Sequence, residues 1–123
     1  MIPGVVEVFA ARQRIRQQID VTPLRPSPWL SSAAGAPVWL KLECVQRTGS
    51  FKFRGAFNAL LRLGGGTHVV TASAGNHGRA VALAAEMLDL KATVFVPRDA
   101  PRAKLEAIRR HGADLREEAA TYD

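Results

Sequence analysis

The second half of the sequence alternates between strand-like and helix-like segments, and this order restricts the fold more than any other feature. Short runs rich in apolar and β-branched residues occupy 68–72 and 91–96. Each is followed by a segment with helical spacing, at 76–88 and 101–111, and a further strand signal begins at 113–116. Strands that alternate with helices build a parallel sheet with right-handed crossovers. We therefore predict an α/β fold with a Rossmann-like parallel sheet and flanking helices.

The first half is less regular. Spacing of apolar residues predicts a helix over 5–18, and three prolines make 22–28 an extended connector. Alternation predicts a strand over 38–43. Helical spacing resumes at Ser50 and ends at the three glycines of 64–66. These glycines follow a helix and precede a strand, the reverse of the order in a phosphate loop, so we interpret them as a helix terminator.

Charge and composition exclude several classes of protein. The longest apolar runs are far shorter than the ~20 residues of a membrane span. The first residues contain no short apolar core behind basic residues, so we expect no secretory signal. The net charge is +6, but residues 63–123 hold eight basic and eight acidic residues, and the surplus belongs largely to a presumed helix face in the first half. No basic cluster is interleaved with stacking aromatics, so we expect no nucleic-acid partner.

The cysteine count and the acidic residues argue against a disulfide and a metal site. The single cysteine, Cys44, excludes an internal disulfide and a multi-cysteine metal site, and we expect it to be a small buried side chain after a strand. The acidic pair Glu117 and Glu118 lacks metal-ligand spacing, so no metal is predicted. We expect a cytoplasmic protein.

Two polar, glycine-rich junctions, 48–55 and 71–78, are the candidate sites, because ligands of open parallel sheets gather where strands lead into helices. In the first, Ser50 is a plausible helix N-cap, which puts Lys52 in the first helical turn, near a positive dipole. Flanking phenylalanines and the nearby cation Arg54 would lower the lysine pKa, and a neutral amine suits Schiff-base chemistry. The residues alone favour the alternative, a surface lysine at a helix start.

In the second junction, a strand, a glycine-containing turn and a helix follow one another. Backbone N–H groups at a helix start bind anions, and Gly75 and Gly78 allow a close approach. Ser73 and Asn76 add side-chain donors, although Asn76 could equally be an ordinary helix cap. His77 alone is more often a packing or capping residue than an acid–base group.

At these junctions the sequence resembles a known family. The motif KLE at 41–43, RTGSFKFRGA at 47–56 and SAGNHG at 73–78 resemble the threonine/serine dehydratase and serine racemase family, the fold-type II enzymes that use pyridoxal 5′-phosphate (PLP). The likeness runs from about residue 15 to the end. It implies that 1–45 belong to the larger PLP domain and that 46–123 form most of the small α/β domain.

The resemblance also implies roles for individual residues. Lys52 matches the lysine that binds PLP covalently and moves the substrate α-proton, and Phe51 matches the aromatic residue beside the cofactor. Asn76 matches the residue that hydrogen-bonds the 3′-oxygen of the ring. The loop that receives the substrate carboxylate is matched by Ser73, Ala74, Gly75, Asn76 and His77. The implied reaction removes the β-hydroxyl as water and yields a 2-oxo acid and ammonia.

One departure bears on the reaction. Racemases of this type carry a serine where this chain has Ala74, which cannot transfer a proton, so we predict a dehydratase. The alternatives are a serine racemase, a lyase for another hydroxy amino acid, and a non-catalytic fragment or ligand-sensing relative. The family's phosphate-binding loop lies downstream of residues 121–123, where the sequence stops as though cut. We therefore predict that the chain alone is inactive, and that the full-length protein is a homo-oligomer whose partner is a small amino-acid substrate.

Overall fold

The computed structural model describes residues 2–119. Within these residues, five helices and five strands follow one another, with a 3-10 turn at Glu43–Val45 between β2 and α3. Their bounds are α1 Val5–Ile15, β1 Leu24–Pro26, α2 Pro28–Ala34, β2 Trp39–Lys41, α3 Lys52–Leu60, β3 His68–Ala72, α4 Asn76–Met87, β4 Lys91–Pro97, α5 Arg102–Arg109 and β5 Asp114–Ala119.

The second half forms the predicted parallel sheet. Its strand order is β3-β4-β5, with His68 opposite Lys91 and Thr93 opposite Asp114. The central strand β4 is almost entirely buried, and Val94 and Val96 have no exposed surface. A nearly continuous apolar strand is typical of a parallel sheet. The α/β fold class is confirmed, and β3 has the predicted bounds.

Helix α4 is the centre of the packing. It contacts β3, β4, α3 and α5, and its buried positions are mostly small residues. Alanines at 80, 82, 84 and 85 let these neighbours approach its backbone closely. The facing side of α3 supplies Phe53 and Phe57, whose ring centroids lie 5.5 Å apart. The helix that begins with Lys52 is therefore fixed to the sheet domain through α4.

The N-terminal helix differs from its prediction. It ends at Ile15 rather than at residue 18, and Ile15 is its buried residue. The apolar residues Val5, Val8 and Phe9 of this helix are exposed, whereas Ile19, beyond the helix end, is buried. Periodicity identified the helix, which contacts α3, and Arg14 Nε donates to Asn58 Oδ1 of α3 at 3.0 Å.

Helix α2 was missed. Three prolines led us to expect extended chain throughout 22–28, but Pro28 begins a helix because a proline at the first position lacks only an N–H that would be unpaired there anyway. Ser27 caps this helix by accepting a hydrogen bond from Leu30 N at 3.4 Å, and Gly35, at φ 64°, ends it. The preceding segment β1 is extended and pairs antiparallel with β2, which is shorter than predicted.

Helix limits elsewhere shift by a few residues. Helix α5 begins after Pro101, which is its N-cap rather than part of the first turn, and Gly112, at φ 72°, lies just past its end as predicted. The glycines at 64–66 form a turn after α3, in which Gly66 has φ 78°. Helix α3 already ends at Leu60, so the prediction that the glycines terminate it is wrong, and they lie in the segment that leads to β3.

Predictions about Cys44, the chain end and membrane spans have different outcomes. Cys44 was expected to be buried but is exposed on the 3-10 turn. Residues 121–123 lie outside the described part of the chain, and the division into 1–45 and 46–123 stays a prediction. Between residues 2 and 119, every helix is too short or too polar to cross a bilayer.

Candidate active site

Lys52 lies in the first turn of α3, as predicted, and is its first residue; its side chain is exposed. The two flanking phenylalanines do different things. Phe51 is 59% exposed and lies beside the amine, with its ring centroid 5.1 Å from Lys52 Nζ. Phe53 is fully buried and anchors the helix. The desolvation expected from both rings is therefore wrong for this chain, and the amine is accessible to a ligand.

The start of α3 has no side-chain cap. The N-cap is Phe51 rather than Ser50, and its dihedrals of φ −62° and ψ −17° are helical, whereas an N-cap residue usually has extended dihedrals. The Ser50 hydroxyl is buried and, within residues 2–119, has no hydrogen-bond partner; the same holds for Thr48. The predicted capping role of Ser50 is wrong. The direction of the first turn must be set by other contacts.

Arg54 supplies the strongest of those contacts. Its Nε and Nη2 donate to the two carboxylate oxygens of Glu43, both at 2.8 Å. The hydrogen bond from Arg54 holds the pKa of Glu43 down at about 2, from an ordinary value of 4.5, against the opposing effect of burial. The same pair raises the pKa of Arg54. We expected Arg54 to act as a free cation beside Lys52, but its charge is compensated by Glu43.

The second junction is a loop held at both ends. Ser73 N donates to Phe95 O of β4 at 3.0 Å, and Ser73 Oγ accepts a hydrogen bond from Gly75 N at 3.2 Å. Gly75 is the N-cap of α4 and provides no side-chain acceptor. Asn76 is the first helical residue rather than the cap, and both Asn76 and His77 are exposed. The first amides of α4 are thus not consumed by a capping side chain, which suits anion binding.

Gly78 has a role that the sequence only partly indicated. A Cβ atom at this position would lie 2.1 Å from Ser73 O and 3.2 Å from Ile108 Cδ1. Glycine is therefore required for α4 to pack against its own loop, whereas a Cβ at Gly75 would meet Ser73 Oγ at an ordinary 3.9 Å. We expected both glycines to admit a ligand; the close approach at Gly78 is between two parts of the chain.

A cleft of about 400 Å³ borders the loop and joins it to α5. Its lining residues are Ala74, Gly75, Asn76, Arg79, Ala103, Lys104 and Ala107. Arg79 and Lys104 were not among the predicted site residues. Arg79 follows Asn76 by three positions, so helical spacing could have indicated that both face the same side. Lys104 comes from another element, and nothing in its sequence neighbourhood signals this contact.

These features define a class of protein. An accessible amine at one helix start and an uncapped helix start after a parallel strand suit an enzyme that binds a carbonyl compound and a carboxylate. The sequence profile of the family described as "Pyridoxal-phosphate dependent enzyme" matches residues 15–123. The chain belongs to this family, whose members depend on PLP.

Individual relatives agree with this assignment. The chain is 46% identical over 112 residues to an L-threo-3-hydroxyaspartate ammonia-lyase from a Pseudomonas species, covering 89% of this chain and 35% of that protein. It is 38% identical over 120 residues to the L-threonine ammonia-lyase of Thermotoga maritima, covering 95% and 30%. The structure of maize serine racemase superposes with a TM-score of 0.90 at 33% identity, covering 99% and 38%. The chain spans about a third of the length of these relatives.

The residues present fit one part of a PLP site. An exposed primary amine at Lys52 can attach an aldehyde, and the Phe51 ring beside it offers an apolar surface. Asn76 presents an exposed amide at the start of α4. The chemistry of these three side chains fits groups that would attach and orient the cofactor, and their individual roles stay predictions.

Proposed function

We propose that this chain supplies the lysine and the carboxylate-binding loop of a PLP-dependent ammonia-lyase that converts L-threonine or L-serine into a 2-oxo acid and ammonia. The observation that carries the proposal is the exposed amine of Lys52 at the first position of α3, beside the Phe51 ring. The family membership and the ammonia-lyases among the relatives support it.

Each residue has a defined task in this proposal. Lys52 holds the cofactor and, once released by the substrate, accepts the α-proton at Nζ. Phe51 covers the cofactor, and Asn76 orients it through its side-chain amide. The uncapped amides at the start of α4 bind the substrate carboxylate. PLP, when bound, takes up the electrons released as the α-proton leaves.

The overall reaction balances without another reactant. The Cα–H bond breaks and its proton passes to Lys52, while the C–O bond to the β-hydroxyl breaks and the departing oxygen takes up that proton and leaves as water. The enamine that results becomes an imine when a proton moves from its nitrogen to Cβ. Hydrolysis of the resulting imine gives the 2-oxo acid and ammonia. Net consumption of water is zero, because the water lost in elimination equals the water used in hydrolysis.

Ala74 favours elimination over racemisation. Inverting Cα requires a second acid–base group on the opposite face of the substrate, and a methyl group cannot donate a proton. Ala74 is a buried residue of the proposed carboxylate loop. Serine racemases are also among the relatives, so the two reactions must be separated by experiment.

The test uses an extended protein, defined here as residues 1–123 joined to the downstream part of the Pseudomonas ammonia-lyase. After loading with PLP and reduction with borohydride, peptide mapping should place the pyridoxyl group on Lys52. The Lys52→Arg variant is the control and should carry no label at this position. A label on Lys41 or Lys104 in the unmodified sequence would contradict the assignment.

A second measurement decides the reaction. The extended protein should release 2-oxo acid from L-threonine or L-serine with little D-enantiomer, as followed by chiral chromatography. L-threo-3-hydroxyaspartate should be assayed beside them, because the Pseudomonas relative bears its name. D-serine that accumulates as fast as the 2-oxo acid would overturn the dehydratase proposal.

A further inference from the structure

The start of α3 is tied to the N-terminal segment by a polar network built around Glu43 and Arg54. Arg54 is the third residue of α3, two positions after Lys52. Its guanidinium forms a two-pronged ion pair with Glu43, whose side chain is only 17% exposed. Such paired hydrogen bonds fix the relative orientation of the two groups as well as joining them.

Glu43 is itself held from the other side. Thr22, which is 3% exposed, donates its hydroxyl to Glu43 Oε1 at 2.6 Å. Lys41 Nζ donates to Thr22 O at 2.7 Å. The buried side chain of Gln46 bonds the backbone of Asp20 twice, donating to its carbonyl at 3.0 Å and accepting from its amide at 3.2 Å. The acceptor for Arg54 is therefore rigidly placed.

Beside the buried Phe53, the pair is the polar side-chain contact that fixes the first turn of α3. That turn has no side-chain cap, and the hydroxyls of Thr48 and Ser50 make no hydrogen bond to any part of the chain that the structure describes. Successive helical residues are rotated by about 100°, so Lys52 and Arg54 project in nearly opposite directions. Arg54 consequently cannot share a ligand with Lys52 and can act on it only through the helix backbone.

We infer that the Glu43–Arg54 ion pair is a positioning device that sets the direction in which α3 presents the Lys52 amine. The inference rests on the proposed function of Lys52 and assigns Arg54 and Glu43 no contact with substrate or cofactor. The two-pronged geometry is the essential part, because a lysine at position 54 would keep the charge but could not reproduce the fork.

The test measures how fast Lys52 in the extended protein becomes labelled by PLP and borohydride. Arg54→Lys should slow labelling about tenfold or more, since a displacement of about 1 Å at a reacting group can cost 10²-fold. Glu43→Gln should slow it less, because the amide keeps one acceptor for Arg54. Both variants should shift the pH profile of labelling, and in turnover both should lower kcat more than they raise KM.

Arg109→Lys is the matched control, because Arg109 of α5 also forms an ion pair, 2.6 Å from Glu117 of β5, and this pair does not involve α3. It should label at the unmodified rate. Urea unfolding of each variant gives the folded fraction, and Glu43→Gln serves if Arg54→Lys does not fold. Labelling by the Arg54→Lys or Glu43→Gln protein at the unmodified rate, or a loss no larger than the loss of folded protein, would overturn the inference. Failure of the unmodified protein to label at Lys52 would instead refute the proposed function.

Discussion

Replacing Gly78 with alanine should separate the cost to folding from the cost to the site. The added Cβ would lie 2.1 Å from the backbone oxygen of Ser73, whereas real Cβ atoms essentially never come within 3.0 Å of such an atom. The loop and α4 must therefore separate by about 1 Å. The Cβ cannot move the other way freely, because Ile108 Cδ1 would lie 3.2 Å from it.

The magnitude follows from two opposing effects. Overpacking in a closed site costs about 1–3 kcal/mol, and alanine's higher helix propensity returns about 1 kcal/mol. We expect a net loss of roughly 0–2 kcal/mol in the free energy of unfolding. The consequence for the site is larger, because displacing the proposed carboxylate loop by about 1 Å can cost on the order of 10²-fold in kcat/KM.

Gly55 offers a matched control. It lies inside α3, and a Cβ there would meet nothing within 4 Å. Gly55→Ala should therefore raise the free energy of unfolding of the 123-residue chain by about 0.5–1 kcal/mol. Urea unfolding measures both variants, and the kcat/KM of the extended protein measures the effect on the site.

The result that would refute this reasoning is an increase in stability for Gly78→Ala similar to that for Gly55→Ala. Unchanged kcat/KM in the Gly78→Ala protein would separately refute the placement of the 73–77 loop in the substrate site.

Three further predictions concern acid stability, the core and the isolated chain. The pKa of Glu43 is lowered from 4.5 to about 2 in the folded chain, so its contribution to the free energy of unfolding is complete above about pH 5 and is lost as pH falls through 4.5 towards 2. Urea unfolding at pH 3 should therefore show about 1–2 kcal/mol less stability than at pH 6. The Glu43→Gln variant should show a smaller difference between the two pH values. Ile108→Ala removes a fully buried side chain and should cost about 2–5 kcal/mol in thermal or urea unfolding, whereas truncating the 57% exposed Leu24 should change stability by about 0.5 kcal/mol or less. The 123-residue chain with saturating PLP should release no 2-oxo acid from L-threonine, while the extended protein should do so; comparable turnover by both would show that the downstream part is dispensable.

Local sequence signals predicted the elements that depend on local energetics. The runs of apolar residues in 68–72 and 91–96 and the glycine at 112 lie where strands and a helix end require them. Lys52 was correctly placed in the first turn of α3 because helical spacing after residue 50 is clear. Helix α2 was missed because proline is a weak guide when it can occupy either extended chain or the first helical position.

Surroundings were predicted less well than positions. The sequence placed Phe51 and Phe53 on either side of Lys52, but could not show that one ring is exposed and the other buried. It also predicted that Ser50 caps the start of α3, whereas in the structure Arg54 forms an ion pair with Glu43 at that turn. The exposure and the ion-pair partners of a residue depend on which helices and strands pack around it, and the adjacent residues in the sequence do not specify that packing.

What the sequence determined by itself was the order of strands and helices, the lysine-bearing motif and the resemblance to a family, because each is a short-range pattern. The tertiary structure alone decided that Arg54 reaches back eleven residues to Glu43, that Lys104 joins the cleft beside Asn76, and that Gly78 must lack a Cβ. These contacts join segments distant along the chain, and their geometry follows from how α3, α4 and α5 pack rather than from any local preference.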